Sequence, residues 1–515
     1  MKRKSLFLSL LILFISLFIF GCIPTNDKLS KEEIEKQVNE AFIEFDSKDF
    51  TFTKNSGNNE EVTKITLLSI NDFHGALEET EGEFGAARVG GFIIDQYNNN
   101  PNGTIILSAG DMFQGTGVSN YRHGRDVVAF MNAIGFDAMA IGNHEFDWGF
   151  SEVLNYIDGK AENGEANFPF LGCNIVYKGT ENLVENLEPY TIINKNGVKI
   201  GIIGFMGYGL ESSIATSMIA DYQFLAPVSI VGKHAAYLRD TEKCDLVIAV
   251  GHDDNDSVNQ SLALLSGSKR IDAIFNGHNH LKKTEWLDGT DGRRVPVLQG
   301  GSSGEAISEI SFELKNGKWT VVTAYYHKMN NATKNSEIES FVNELTEVTA
   351  PLFQRVLTYA GQEIRRYPAM DWCANTLLDY SKADVAFINA GGIRNAGFPI
   401  SNGEAVTVAS VYKIMPFDNT IKSCQIKGNV LRSLILNGSL VYSTNVNVSG
   451  GTVTINGSQI DGNRYYTVAA VDYVFDKTEY PFLSGENIKF TGVLFRDILI
   501  EALEEIGPNG KWTVE

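Results

Sequence analysis

The chain has 515 residues, more than one hydrophobic core usually organises, so two domains with appendages is the expected layout. Its 63 Asp and Glu against 43 Lys and Arg give a net charge of −20, which argues against a duplex nucleic-acid binder or a membrane-surface reader. An anionic substrate must then be collected by local positive charge, for which bound cations are the evident source.

In chain order, Met1-Lys2-Arg3-Lys4 followed by the apolar run Leu6 to Phe20 has the charged start and short apolar core of a secretion signal over residues 1–21. Ile19-Phe20-Gly21-Cys22 is similar to a bacterial lipobox, so Cys22 is expected to carry a lipid that anchors an extracytoplasmic body to the cell membrane. An uncleaved anchor is the alternative. Cleavage would remove three positive charges and leave the body at −23. Residues 22–61 read as a polar spacer, with Ile34, Val38, Phe42 and Phe45 at helical spacing.

From Lys64 short apolar runs alternate with helical segments: Ile65 to Ile70, Thr104 to Ser108, Ala138 to Ile141, Val198 to Phe205, Leu246 to Val250 and Ile271 to Phe275. This predicts an α/β domain over 62–335 with buried sheet. Alternating strands follow at Ala306 to Leu314 and Trp319 to His327, then an interdomain helix over 336–356. A second α/β unit over 357–515 is expected to hold a helix near Trp372 to Tyr380, a strand at Val385 to Asn389, and turns at Asn402-Gly403, Asn456-Gly457 and Asp461-Gly462. Cys173, Cys244, Cys373 and Cys424 lack metal-site spacing and are expected as buried thiols.

The chemistry sits where strands end. Five of the eight histidines fall in Asp72-Phe-His74, Gly142-Asn143-His144-Glu-Phe-Asp147, Gly251-His252 and Gly277-His278-Asn-His280, to which Gly110-Asp111 adds a carboxylate. In open α/β sheets ligands bind beyond the carboxyl ends of strands, so these distant residues can share one rim. Two divalent cations roughly 3.5–4 Å apart need a bridging carboxylate, a role that suits Asp111. Asp72 and His74 alternate with Phe73 and can grip one ion from an extended loop, a spacing that His278 and His280 repeat. Asn143 and His144 are adjacent, so one can ligate while the other faces substrate. Asp147 can orient the His144 imidazole. Oxygen and imidazole donors suit Zn, Mn and Co comparably.

The segments Ile65 to Leu77 and Phe136 to Asp147, with Gly251-His252, Gly277 to His280, Asn389-Ala-Gly-Gly-Ile-Arg394 and Met415-Pro416-Phe417, resemble the bacterial 5'-nucleotidase and UDP-sugar hydrolase family of calcineurin-like metallophosphoesterases. The resemblance implies a four-layer α/β/β/α sandwich followed by a smaller substrate-binding α/β domain. It implies two metal ions, one on Asp72, His74, Asp111 and His280, the other on Asp111, Asn143, His252 and His278, with His144 and Asp147 as catalytic dyad. It further implies a nucleotide substrate, with Arg394 on phosphate, Asn389 on the base and Phe417 as one face of an aromatic clamp; independently, Gly391-Gly392 allows close backbone approach.

The chain departs from the family at two places. Ala369 to Asn375 replaces an Asn-x-Gly-Asn turn, and Arg365 and Arg366 lie out of register with a second phosphate-binding arginine. Val471 to Tyr480 replaces a glycine-rich loop, in which Tyr473 is expected to stack on the base and Glu479 to accept from ribose hydroxyls. Hydrolysis of nucleoside 5'-phosphates is the expected activity. The alternatives are a 2',3'-cyclic phosphodiesterase, a UDP-sugar hydrolase, or, in a different class, a surface lipoprotein that binds without turnover.

Overall fold

Two six-stranded sheets dominate the computed structural model, which describes residues 30–48, 50–58, 61–80 and 82–514. The signal segment and Cys22 lie outside the described residues. The chain divides after Lys48 into two compact units. The first contributes the helix Lys31–Asp46, on which Val38, Phe42 and Phe45 share a face; the Ser30 hydroxyl accepts from the Glu33 N–H while the Glu33 carboxylate returns the bond to Ser30. Among the described residues no helix is long and apolar enough to cross a membrane.

In the second unit, one sheet has the order Lys318–Lys328, Ala306–Lys315, Lys64–Ile70, Thr104–Ser108, Ala138–Ala140, Phe170–Leu171, and its last four strands are parallel. The other runs Lys282–Asp288, Arg294–Gly300, Ala273–Asn276, Leu246–His252, Val198–Met206, Tyr190–Lys195, parallel in the middle and antiparallel at both edges. The sheets pack face to face through Ile65, Leu67, Ile105, Leu107, Ile202, Ile248, Val250 and Phe275, all buried. Helices Pro227–Asp240 and Asp256–Ala263 cover the second sheet through Val231, Ala235, Leu238 and Leu262, and Ala86–Asn99 and Arg125–Ile134 lie over the first. The result is the α/β/β/α sandwich that the family resemblance implied, and its strands read as continuous apolar runs because strands buried on both faces have no polar side to show.

Register places the site. Ile70 pairs with Ser108 and Ser108 with Met139, so the loops holding Asp72, Asp111 and Asn143 leave the first sheet at one level. Gly251 pairs with Asn276 in the second, which brings His252 and His278 out side by side.

The linking helix spans Ser336–Phe353, capped by the Asn335 side chain, which accepts from the Glu337 and Ile338 N–H groups. It ends three residues earlier than expected because Val356 opens the strand Val356–Ala360, paired with Ala405–Thr407. Beyond it a five-stranded sheet, ordered Val441–Tyr442, Val385–Ile388, Tyr465–Val471, Thr420–Lys427, Glu486–Leu494, carries helices Arg366–Ser381 and Phe495–Ile506. The first of these starts six residues before the expected Trp372, since Pro368 falls in its first turn, where a missing N–H costs nothing. Asn456-Gly457 joins the hairpin Thr452–Ile455 and Ser458–Gln459; Asn402-Gly403 and Asp461-Gly462 are turns between strands that do not pair with each other. All four described cysteines are free and buried.

Candidate metal centre and substrate cavity

Five of the expected ligands hold an uncommon backbone. Asp72, His74, Asp111, His278 and His280 have φ of 49°, 52°, 54°, 90° and 60°, in a region that costs a non-glycine residue roughly 1–3 kcal/mol. Crossing main-chain bonds hold the loops there: the Asp72 N–H donates to Gly110 O at 2.9 Å, His74 N–H to Asp111 O at 3.1 Å and Ser303 N–H to Asp72 O at 2.8 Å. Glycine is required where they touch. A Cβ on Gly142 would lie 2.2 Å from an Asp111 carboxylate oxygen, and one on Gly110 2.9 Å from His252 Nδ1.

Two donor clusters result, Asp72 with His74 and His280, and Asp111 with His252 and His278. His74 Nε2 and His280 Nε2 are 3.1 Å apart, and His280 Nε2 is 3.5 Å from Asp72 Oδ1. In the other cluster His252 Nε2 lies 3.0 Å from Asp111 Oδ2, and Asn143 Oδ1 is 3.1 Å from His252 Nε2 and 2.9 Å from His278 Nδ1.

The remaining ring nitrogens decide what these contacts mean. His74 Nδ1 donates to Gln114 O and His252 Nδ1 to Ala109 O, each at 2.8 Å, which turns both Nε2 atoms inward, as a lone pair on His74 and on His252 once a cation takes the place of its Nε2 proton. Facing lone pairs and carboxylates repel one another unless a cation lies between, so the donor set fits divalent ions. Burial, then the neighbouring histidines, holds the His74 imidazolium well below its ordinary range; burial, then Arg394, brings His280 down to about 4. Both are neutral donors at pH 7. Burial opposes charge on His252 too, but Asp111 outweighs it and raises its pKa to about 10.

Glu145, which sequence reasoning passed over, ties the two strand ends together. Its fully buried carboxylate accepts from the N–H groups of Gly142 at 2.7 Å, Asp111 at 2.9 Å and Met112 at 2.8 Å. Its place inside Gly-Asn-His-Glu-Phe-Asp was the available signal. Asn71 has a like role, donating to Asp72 Oδ2 and to Gly301 O, each at 2.7 Å.

Asn143 and His144 diverge as adjacency requires. His144 Nδ1 meets Asp147 Oδ2 at 2.7 Å, and the Phe417 ring lies 5.7 Å away at 24°, a stacked pair between the two halves of the molecule. A cavity of about 310 Å³ opens beside this pair, lined by His144 and His280 on one side and by Asn389, Arg394, Phe417 and Tyr473 on the other. The Arg394 guanidinium lies 5.6 Å over the Phe417 ring, within the field of Asp111, Asp147 and Asp72. Arg366, out of register for phosphate, instead donates to Ile393 O at 2.7 Å and to Ala390 O, bracing the loop that presents Arg394.

Two expected pocket residues are displaced. Glu479 does not line the cavity; the acidic groups there are Asp147, Asp418 and Asp472, and Glu479 stands exposed beyond the short helix Asp472–Phe475. Gly391 rather than Gly392 faces the cavity, Gly392 being turned in against Asn389. Ser213, Ala215 and Met218 also line it, from a loop without a sequence signal.

Residues 65–282 match the family of calcineurin-like phosphoesterases, and residues 344–484 match the 5'-nucleotidase C-terminal domain. The chain is a calcineurin-like phosphoesterase with a 5'-nucleotidase C-terminal domain. A 5'-nucleotidase of Vibrio cholerae is 29% identical over 423 residues, covering 71% of this chain and 74% of its own length. A 5'-nucleotidase precursor from Thermus thermophilus shares the fold with a TM-score of 0.70 at 20% identity, covering 87% and 98% of the two chains. The sulfate thiohydrolase SoxB of the same organism shares it at 0.65 and 16%, covering 90% and 97%. One phosphoesterase fold therefore serves different chemistries, and substrate must be argued from the cavity.

Proposed function

We propose that this phosphoesterase hydrolyses nucleoside 5'-monophosphates to nucleoside and phosphate, acting outside the cytoplasm on a body tethered through lipidated Cys22. The observation that carries the reading is the stacked Phe417–His144 pair. It sets an aromatic surface and Arg394 from one half of the molecule against the donor clusters of the other, across a cavity of about 310 Å³. That volume is at the small end of ligand pockets, roughly 300–1,000 Å³.

Asp72, His74, Asp111 and His280 would hold one divalent cation and Asp111, Asn143, His252 and His278 a second, with Zn, Mn or Co as candidates. When bound, such ions supply charge neutralisation and deprotonated water near pH 7. His144, oriented by Asp147, donates to a phosphoryl oxygen as charge develops there. Arg394 offers its planar fork to the phosphate, Asn389 meets the base, and Phe417 with Tyr473 brackets it.

The test is phosphate release from AMP, UDP-glucose and 2',3'-cyclic AMP by metal-reconstituted protein. AMP should be cleaved with the highest kcat/KM; preference for either other substrate, or binding of all three without turnover, would overturn the reading. For the anchor, Cys22→Ala should move the protein from the membrane to the soluble fraction.

A further inference from the structure

We propose that Asn120 is a positioning residue that ties the metal rim to the aromatic face of the cavity, acting through the main-chain carbonyl of Pro416. The proposal rests on the nucleotide reading above. Asn120 lies on the short helix Gly117–Tyr121 and is buried. Its two amide ends face different halves of the molecule.

Its Oδ1 accepts from the Gly115 N–H at 2.9 Å, fixing the turn whose neighbouring carbonyl, on Gln114, receives the His74 Nδ1 proton. Its Nδ2 donates to Pro416 O at 2.7 Å, across 296 positions of sequence. The same carbonyl takes a second donor from the far side, Arg496 Nη1 at 2.8 Å, which also reaches Phe417 O at 3.2 Å. Arg496 is buried, bonds Asp418 through its other amino group, and lies 3.9 Å over the Tyr412 ring. Proline has no N–H of its own, so this carbonyl is the one main-chain handle Pro416 offers.

Around the contact, Phe353 meets Tyr412 at 5.2 Å and Tyr121 at 6.2 Å, both edge-on. A hydrogen bond in such apolar surroundings is costly to leave unmade, which makes it directional. Phe417 follows Pro416 directly, so the donors on Pro416 O fix where its ring stands over His144. One side chain thus holds both the support of a metal-ligating imidazole and the surface on which the base would stack.

Nucleotide hydrolysis needs base and phosphate placed together, whereas hydrolysis of p-nitrophenyl phosphate needs only the phosphate placed. Asn120→Asp keeps the acceptor for Gly115 and removes the donor to Pro416. We expect its kcat/KM for AMP to fall about tenfold or more, a 1 Å misplacement costing up to about 10²-fold. Hydrolysis of p-nitrophenyl phosphate and metal content should stay at wild-type level.

Asn120→Ser, uncharged but too short for either bond, is a second variant in case the aspartate disturbs folding; for it the AMP to p-nitrophenyl phosphate ratio alone is read, metal content being read on Asn120→Asp, with thermal unfolding measured for both. Equal losses on both substrates, or loss of metal, would show a merely structural residue; an unchanged AMP to p-nitrophenyl phosphate ratio would show that the bond positions nothing. If wild-type protein cleaves p-nitrophenyl phosphate but no nucleotide, the nucleotide reading fails and this proposal with it. If it cleaves AMP and the Asn120 variants behave as wild type, this proposal alone fails.

Discussion

The donor rim and the opposite wall of the cavity, the side proposed to meet the nucleotide, are built by opposite means. At the rim the donors leave strand ends on loops bonded to their neighbours, and several are oriented by an identifiable partner, Gln114 O for His74, Ala109 O for His252 and Glu145 for the Asp111 loop. On the nucleotide side Arg394, Phe417 and Tyr473 come from three separate segments of the second domain, braced at one remove by Arg366 and Arg496. The contrast teaches that the donor set is fixed by local backbone geometry, while the opposite wall of the cavity is fixed by contacts between segments distant in sequence.

The first way to break that contrast is at the dyad. His144→Ala should lower kcat on AMP by about 10²–10⁴-fold with both cations retained, since general-acid contributions have that size; a drop of less than tenfold in steady-state assays would refute the role. Next, Glu145→Ala leaves three main-chain N–H groups without their acceptor. Metal affinity should weaken by roughly 10–100-fold, as for other groups that orient ligands from behind, readable by titration calorimetry.

On the nucleotide side the effects should be smaller and confined to kcat/KM. Tyr473→Ala should cost about 0.5–1.5 kcal/mol of stacking, up to roughly tenfold in kcat/KM. Glu479→Gln, outside the cavity, should leave AMP kinetics unchanged; a comparable loss there would restore the ribose contact that the fold denies it.

A separate effect concerns the metal-free protein. His252, raised to about 10 by Asp111, contributes stability that is complete below the unfolded imidazole pKa of about 6.5 and is lost as pH rises toward 10. Thermal unfolding of the chelated protein should therefore fall over that window. Bound cation displaces the His252 proton, so the slope should flatten in the reconstituted protein.

The same contrast explains what could be read from the sequence. Strand ends followed by Asp or His are local patterns, and the six runs from Ile65 to Phe275 became strands within two residues of expectation at nearly every end. Glu145 was missed because its partners are main-chain N–H groups, so its place inside Gly-Asn-His-Glu-Phe-Asp marked the residue without showing its role. Glu479 was misplaced because aligning a loop that has lost its glycines assumes an unchanged path, and Asp472–Phe475 took a helical one. Asn120 stands 296 positions from Pro416, and no spacing rule joins them.

The central claim is that the two donor clusters hold two cations through a shared Asp111. Elemental analysis after metal reconstitution and gel filtration should find two divalent ions per chain in the wild type and no more than one in Asp111→Ala. Two ions in that variant, or none in the wild type, would contradict it.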